Sequence, residues 1–327
     1  MRIVGSFMAI MFFLSGCAST QQGTSDVKGG IAKELVGAKA SLVHIPVREN
    51  GVIGILVAPD RTRPYPGVLR IGGAEGGISV VDADAIASEG FAVLALGYFG
   101  MEGLPADLEE VPLEYFGKAI AWMKNSPSVG STRLGIVGIS RGSTLALLLP
   151  TLYDDFDAVV AIAPSHVIWQ SSYLDWDRYA DRSSFTWRGK PFPYVPYDFS
   201  NAAAMVGCDE TAACAKMYEY SLKQTDRVQK ALIPVELIHA PILLLSGKKD
   251  SLWPSSAMGN LIMQRLDQAK PPYKHQHVAY ENAGHCGLIR CYDHVSLDGD
   301  TAATEDMRRQ LIQFLNDHLV VGGGPRL

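Results

Sequence analysis

The chain has no cluster of lysine or arginine. With 29 Lys and Arg against 34 Asp and Glu, and a formal net charge of −5, it offers no basic face to neutralise phosphates, which excludes nucleic acid as a partner. It lacks internal repeats and low-complexity stretches in its core region. Among its 8 histidines, His275 and His277 share one strand face, but no cysteine or carboxylate joins them, so no metal is expected. The glycine-rich segment from Gly72 to Gly77 is not followed by Gly-Lys-Ser/Thr, so it is no phosphate cradle, and no cofactor is expected.

What is present reads as globular and well cored: 327 residues, 47% hydrophobic and 19% charged, enough for one large α/β domain or two ordinary ones. The N-terminus stands apart. Met1-Arg2 is followed by an apolar run from Ile3 to Leu14, too short for a permanent membrane span, and then by Leu14-Ser15-Gly16-Cys17. This resembles the lipobox of bacterial lipoproteins, which implies a signal peptide over 1–16 and lipidation of Cys17. The expected location is then the cell envelope, with a lipid anchor in the membrane; Ala18 after the cysteine resembles the outer-membrane sorting class of Gram-negative sources. Residues 17–40 read as a tether rich in Ser, Thr, Gln and Gly, and 41–321 as the folded domain. Export also bears on the other cysteines. Cys208, Cys214, Cys286 and Cys291 form two close pairs, and in an oxidising compartment two local disulfides, Cys208–Cys214 and Cys286–Cys291, are expected by proximity.

Segments Leu42–Val47 and Gly51–Val57 suggest a hairpin. Strands are then expected at Gly67–Ile71, Phe91–Leu96, Leu134–Gly138, Ala158–Ile162, Ile242–Ser246 and His277–Tyr280. Helices are expected at Val80–Glu89, Leu113–Asn125 and Thr304–Leu319. Continuous apolar strands separated by helices predict an α/β fold whose mostly parallel sheet carries helices on both faces. The alternation stops over about 164–234, where ten aromatics fall between Ser165 and Ser200. This insertion reads as a cap over an active-site mouth or as an excursion packing on itself.

The chemistry centres on Gly138-Ile139-Ser140-Arg141-Gly142, a sharp turn between an apolar strand and an apolar helix. There the glycines relieve crowding and a serine hydroxyl projects at a helix N-terminus. A serine needs a base to become a nucleophile, and on such a scaffold the chain order is Ser, acid, His. Asp250, in the turn leaving the Ile242 strand, is the acid candidate; His285, after the His277 strand, is the base candidate. His294, with Asp298 or Asp300, stands in reserve. Each has a plainer alternative, as helix cap or loop residue. For the oxyanion hole one N–H is expected from Arg141 and another from Ala74 or Glu75. The Arg141 side chain is expected to form a surface salt bridge, with an anionic leaving group as the second reading.

Taken with Phe91–Tyr98, Leu104-Pro105, Pro112–Phe116, Gly135–Ser140, Gly247–Trp253 and Ala283-Gly284-His285, the chain resembles the acyl-CoA thioester hydrolase and bile acid-CoA:amino acid N-acyltransferase C-terminal domain family, from roughly Val47 to Leu319. The resemblance implies an α/β-hydrolase fold with Ser140, Asp250 and His285 as catalytic triad. Transferase members carry a cysteine nucleophile, so serine points to hydrolysis of an acyl thioester or ester. Larger members have an immunoglobulin-like domain ahead of the hydrolase, where this sequence has the tether. The alternatives are an exported carboxylesterase or peptidase, or a non-catalytic ligand-binding lipoprotein.

Overall fold

The computed structural model describes residues 41–130, 133–172, 181–198, 200, 215–290 and 297–320. The signal peptide, Cys17, the tether and Cys208, Cys214, Cys291 and His294 lie outside them. Eleven strands are described: β1 (Val43–Glu49), β2 (Val52–Ala58), β3 (Gly67–Ile71), β4 (Ala92–Leu96), β5 (Val111–Pro112), β6 (Leu134–Ile139), β7 (Phe156–Ile162), β8 (Phe185–Trp187), β9 (Lys190–Pro191), β10 (Ile242–Gly247) and β11 (His275–Tyr280). The helices used below are α1 (Val81–Ala87), α2 (Glu114–Asn125), α3 (Arg141–Leu148), α4 (Ala215–Ser221), α5 (Thr225–Ala231), α6 (Ser255–Ala269) and α7 (Leu297–Leu315).

Eight strands form one sheet in the order β1-β2-β4-β3-β6-β7-β10-β11. β1 and β2 pair antiparallel as the expected hairpin, β2 pairs antiparallel with β4, and every later pairing is parallel. Strands β3, β4 and β6 are buried along their whole length, because helices cover both faces. Alternate side chains of one strand therefore serve two cores. Leu69 and Leu94 pack with Phe116 and Ile120 of α2 and with Ile262 and Leu266 of α6. Val68 and Val93 pack with Ile86 of α1 and with Met307 and Leu311 of α7. The expected α/β architecture is what forms.

Three features differ from expectation. Helix α7 begins at Leu297 rather than near Thr304 and ends at Leu315 before a π turn, Asn316–Val320. Its first turn, with Asp298 and Asp300, shows no apolar period, but acidic groups there complement the helix dipole. A small sheet, β5-β8-β9, joins the segment before α2 to the insertion; strands of two or three residues carry no readable period. Arg70 interrupts the apolar β3, and its guanidinium bonds the Asp82 carboxylate of α1 with exposures of 2% and 7%. That buried pair fastens α1 to the strand.

The insertion between β7 and β10 buries Val167, Trp169, Val195 and Ala231 in a separate small core, which Trp253 of the loop after β10 and Met258 of α6 complete. At its root His166 is 7% exposed, and its Nδ1 has no partner. Burial holds this imidazole down from 6.5 to about 4. The unfolded chain takes up the proton near pH 6.5 and the folded chain only near 4. Stability is thus level above about pH 6.5, falls as pH is lowered towards 4, and levels off below, a loss of about 3 kcal/mol at most. Urea unfolding at pH 7 and pH 4.5 is expected to show this loss in the native chain, and clearly less of it in His166→Met.

Candidate active site

Because β6, β7, β10 and β11 run parallel side by side, their C-terminal ends deliver three loops to one edge of the sheet. At the end of β6, Ser140 takes φ 55° and ψ −122°, a conformation non-glycine residues rarely adopt and one that turns the chain sharply into α3. The flanking glycines are required by space. A Cβ on Gly138 would lie 2.0 Å from the Gly142 carbonyl oxygen, and one on Gly142 would lie 2.2 Å from that of Gly72. The Ser140 N–H donates to Ile162 O at 3.0 Å. Ser143 Oγ donates to Ser140 O at 2.6 Å. Strand β7 and helix α3 thereby brace the turn from both sides.

The loop after β10 carries Asp250 and the loop after β11 carries His285. They are stitched together by Lys248 N–H to Tyr280 O and Lys249 N–H to Ala283 O, both at 2.9 Å. His285 Nδ1 and Asp250 Oδ2 are 2.9 Å apart, with side-chain exposures of 4% and 2%. Asp250 Oδ1 accepts from the N–H groups of Leu252 and Trp253 at 3.1 Å, and Oδ2 also accepts from Ser255 Oγ. A carboxylate so supplied with donors orients the ring: Nδ1 donates to it, and Nε2 faces the other way. Trp253 packs against the imidazole, with ring centroids 6.1 Å apart. Asp300, one of the reserve acids, instead accepts from Gly284 N–H at 3.1 Å and so holds the loop just ahead of His285.

Gly73 touches the serine: a Cβ there would lie 3.2 Å from Ser140 Cβ. Tyr98 Oη donates to the carbonyls of Gly72 and Gly73, at 3.1 and 2.9 Å, and burial raises its pKa. Gly73 N–H is taken by Glu75 Oε1 at 3.0 Å. The close approach expected of the Gly72–Gly77 glycines is met at Gly73; sequence reasoning missed Tyr98 and Ser255, and Tyr98 sits just past an apolar strand, where a core role is the default.

Two cysteine and arginine expectations meet different outcomes. Cys286 is disulfide-bonded, with its partner outside the described residues. Arg141 does not form the expected surface salt bridge. It is 4% exposed, and its Nη2 donates to Gln170 O, to Ser184 Oγ at 3.1 Å and to Tyr197 Oη at 3.1 Å. Being the first residue of α3, it lies under the insertion, which shields it from bulk water. Among the described residues no group of three His, Cys, Asp or Glu side chains could hold a metal ion.

This sheet order, its helical layers and the serine turn define an α/β-hydrolase. Solved structures agree in fold: a Pyrococcus horikoshii acylaminoacyl peptidase has a TM-score of 0.58 at 14% identity, over 89% of this chain and 44% of that one. A Pyrococcus furiosus esterase has a TM-score of 0.50 at 14% identity, over 85% and 91%. The chain belongs to the family described as BAAT / Acyl-CoA thioester hydrolase C terminal, which matches residues 111–291. Among its relatives, acyl-coenzyme A thioesterase 6 of Mus musculus is 31% identical over 252 residues, 74% of this chain and 54% of that protein. The mitochondrial acyl-coenzyme A thioesterase 2 of Homo sapiens is 31% identical over 240 residues, 73% and 46%. The chain spans about half the length of these relatives.

Proposed function

We propose that this protein is a serine hydrolase that cleaves an acyl thioester or ester through an acyl-enzyme on Ser140. The observation that carries this reading is the buried His285–Asp250 pair, held on loops that leave the sheet at the same edge as the strained serine turn. In the proposed reaction His285 Nε2 takes the hydroxyl proton as Ser140 Oγ attacks the carbonyl carbon. The same proton then goes to the leaving thiolate or alkoxide, and His285 next activates water to release the acid. Asp250 holds the imidazole in the required tautomer and stabilises its charged form.

For the oxyanion hole, Arg141 N–H and Ala74 N–H are the proposed donors. Tyr98 draws the Gly73 carbonyl towards itself, and in a trans peptide the following N–H, that of Ala74, points the opposite way. This favours Ala74 over Glu75. Tyr98→Phe frees both carbonyls and is expected to lower kcat by about tenfold to a hundredfold with KM little changed, part of the loss seen when one donor is removed outright. Steady-state kinetics on one ester is sufficient to check it.

The reading is tested with a panel of acyl-CoA, p-nitrophenyl ester and peptide substrates. Turnover of thioesters or esters supports it; exclusive peptide cleavage, or no turnover with any class, contradicts it. We further propose that Cys17 is lipidated and anchors the protein in the cell envelope, on the strength of Leu14-Ser15-Gly16-Cys17. Expressed in a bacterial host, the native chain is expected in the detergent phase of a phase partition and Cys17→Ser in the aqueous phase. Equal partition of both would remove the anchor.

A further inference from the structure

Arg141 contributes only a backbone N–H to the proposed reaction, so its side chain needs its own explanation. A guanidinium is charged at every accessible pH and is costly to bury without a counter-ion. Yet this one is 4% exposed, and its partners are a backbone carbonyl and two hydroxyls, all reached through Nη2. Among the described residues no carboxylate pairs with it, in contrast to the equally buried Arg70, which has Asp82. The N–H bonds on Nη1 and Nε have no acceptor among the described residues. Neither nitrogen is among the sealed polar atoms without partners, so neither is wholly closed off.

Arg141 directly follows Ser140 in the chain, so its side chain departs from the nucleophile turn itself. The Arg141 charge is felt by Tyr98, whose hydroxyl holds the Gly72–Gly73 carbonyls, and by Tyr218, which also feels Asp250. The guanidinium therefore stands within electrostatic range of both the oxyanion loop and the acid–base loops. Between Arg141 and His285 runs a chain of packed rings, in which Trp253 is buried. Tyr197, whose hydroxyl meets Nη2, packs on Tyr218 at 5.7 Å; Tyr218 packs on Trp253 at 5.7 Å, and Trp253 on His285 at 6.1 Å. Trp169 packs edge-on against Tyr218 at 4.8 Å. A fixed cation held in such low-dielectric surroundings attracts an anion far more strongly than one in water. Three neutral acceptors on one nitrogen hold it in place while its remaining donors stay available.

We propose that the Arg141 guanidinium binds a carboxylate of the substrate, a few bonds from the scissile carbonyl, so that the preferred substrates are anionic acyl esters or thioesters. This rests on the hydrolase reading above and names its substrate class. Arg141 is a recognition residue for charge.

The test compares kcat/KM for three chromogenic esters: p-nitrophenyl hexanoate, the mono-p-nitrophenyl ester of adipic acid, and a carboxylated nitrophenyl hexanoate. The second carries the carboxylate on the acyl side at matched chain length, the third on the leaving side. The native enzyme is expected to prefer one of the charged esters to hexanoate by at least tenfold, and the preferred arm identifies the side. In Arg141→Met that ratio falls to about one, and Arg141→Lys recovers part of it, whatever happens to turnover of the neutral ester. A purely structural role for Arg141 lowers all three rates together and leaves the ratio unchanged, which overturns the proposal. So does a native enzyme without preference for either charged ester, a result that needs no variant. If the native protein turns over none of the three and is not labelled by a fluorophosphonate, the hydrolase reading itself falls, and this inference falls with it.

Discussion

Ser140→Ala is expected to lower kcat by about 10⁶-fold, the loss seen when the nucleophile of such a triad is removed, while leaving the protein folded. The hydroxyl is the only chemical change. Alanine meets the same backbone geometry, φ 55° and ψ −122°, and the contacts that brace the turn are made by the backbone and by Ser143. Ser140→Gly should be equally inactive yet more stable than the native chain by about 1–2 kcal/mol, because only glycine occupies this region without strain. Thermal denaturation of the three proteins, beside their initial rates, checks both statements. A serine variant that keeps kcat within tenfold of the native value removes Ser140 from the chemistry.

Asp250→Asn is expected to lower kcat by about 10⁴-fold through a different physical route. The carboxylate accepts from Leu252 N–H, Trp253 N–H, Ser255 Oγ and His285 Nδ1. An amide offers one accepting oxygen and one donating NH₂ group. The oxygen can keep the two backbone donors, which turns the NH₂ towards Ser255 and His285. Nδ1 must then accept, so Nε2 carries the proton and cannot take one from the serine. KM and the unfolding midpoint separate this from simple misfolding: a wrong tautomer leaves the fold and KM near native and removes the rate, whereas collapse of the loop also lowers the unfolding midpoint.

Much of the scaffold was legible because its signals are local. β3 and β4 are short apolar runs between turn residues, and the hairpin β1–β2 turns at Asn50-Gly51, both with positive φ. Strand ends in turn located the candidate site. Gly138 to Gly142 follows β6, Asp250 follows β10 and His285 follows β11, so the sequence alone could nominate residues more than a hundred positions apart. What it could not supply is contact. That Asp250 and His285 bond to each other depends on the stitching of two loops by backbone groups, which leaves no trace in residue type. Tyr98 and Ser255 are supporting residues of the same kind. Arg141 shows the limit most clearly. An arginine at a helix start ordinarily reaches solvent, and only the fold of a distant insertion, bringing Gln170, Ser184 and Tyr197 over it, buries it. The early start of α7 was hidden for a related reason, since Asp298 and Asp300 stabilise its first turn through charge and leave no apolar period.

The central claim is that the acyl group passes through Ser140. Its most direct test is to quench the enzyme in acid during turnover of p-nitrophenyl hexanoate and map its peptides by mass. One hexanoyl group is expected, on the peptide carrying Ser140, and none in Ser140→Ala. Turnover with the acyl group on another residue, or with Ser140 unmodified under conditions where deacylation limits the rate, would contradict it.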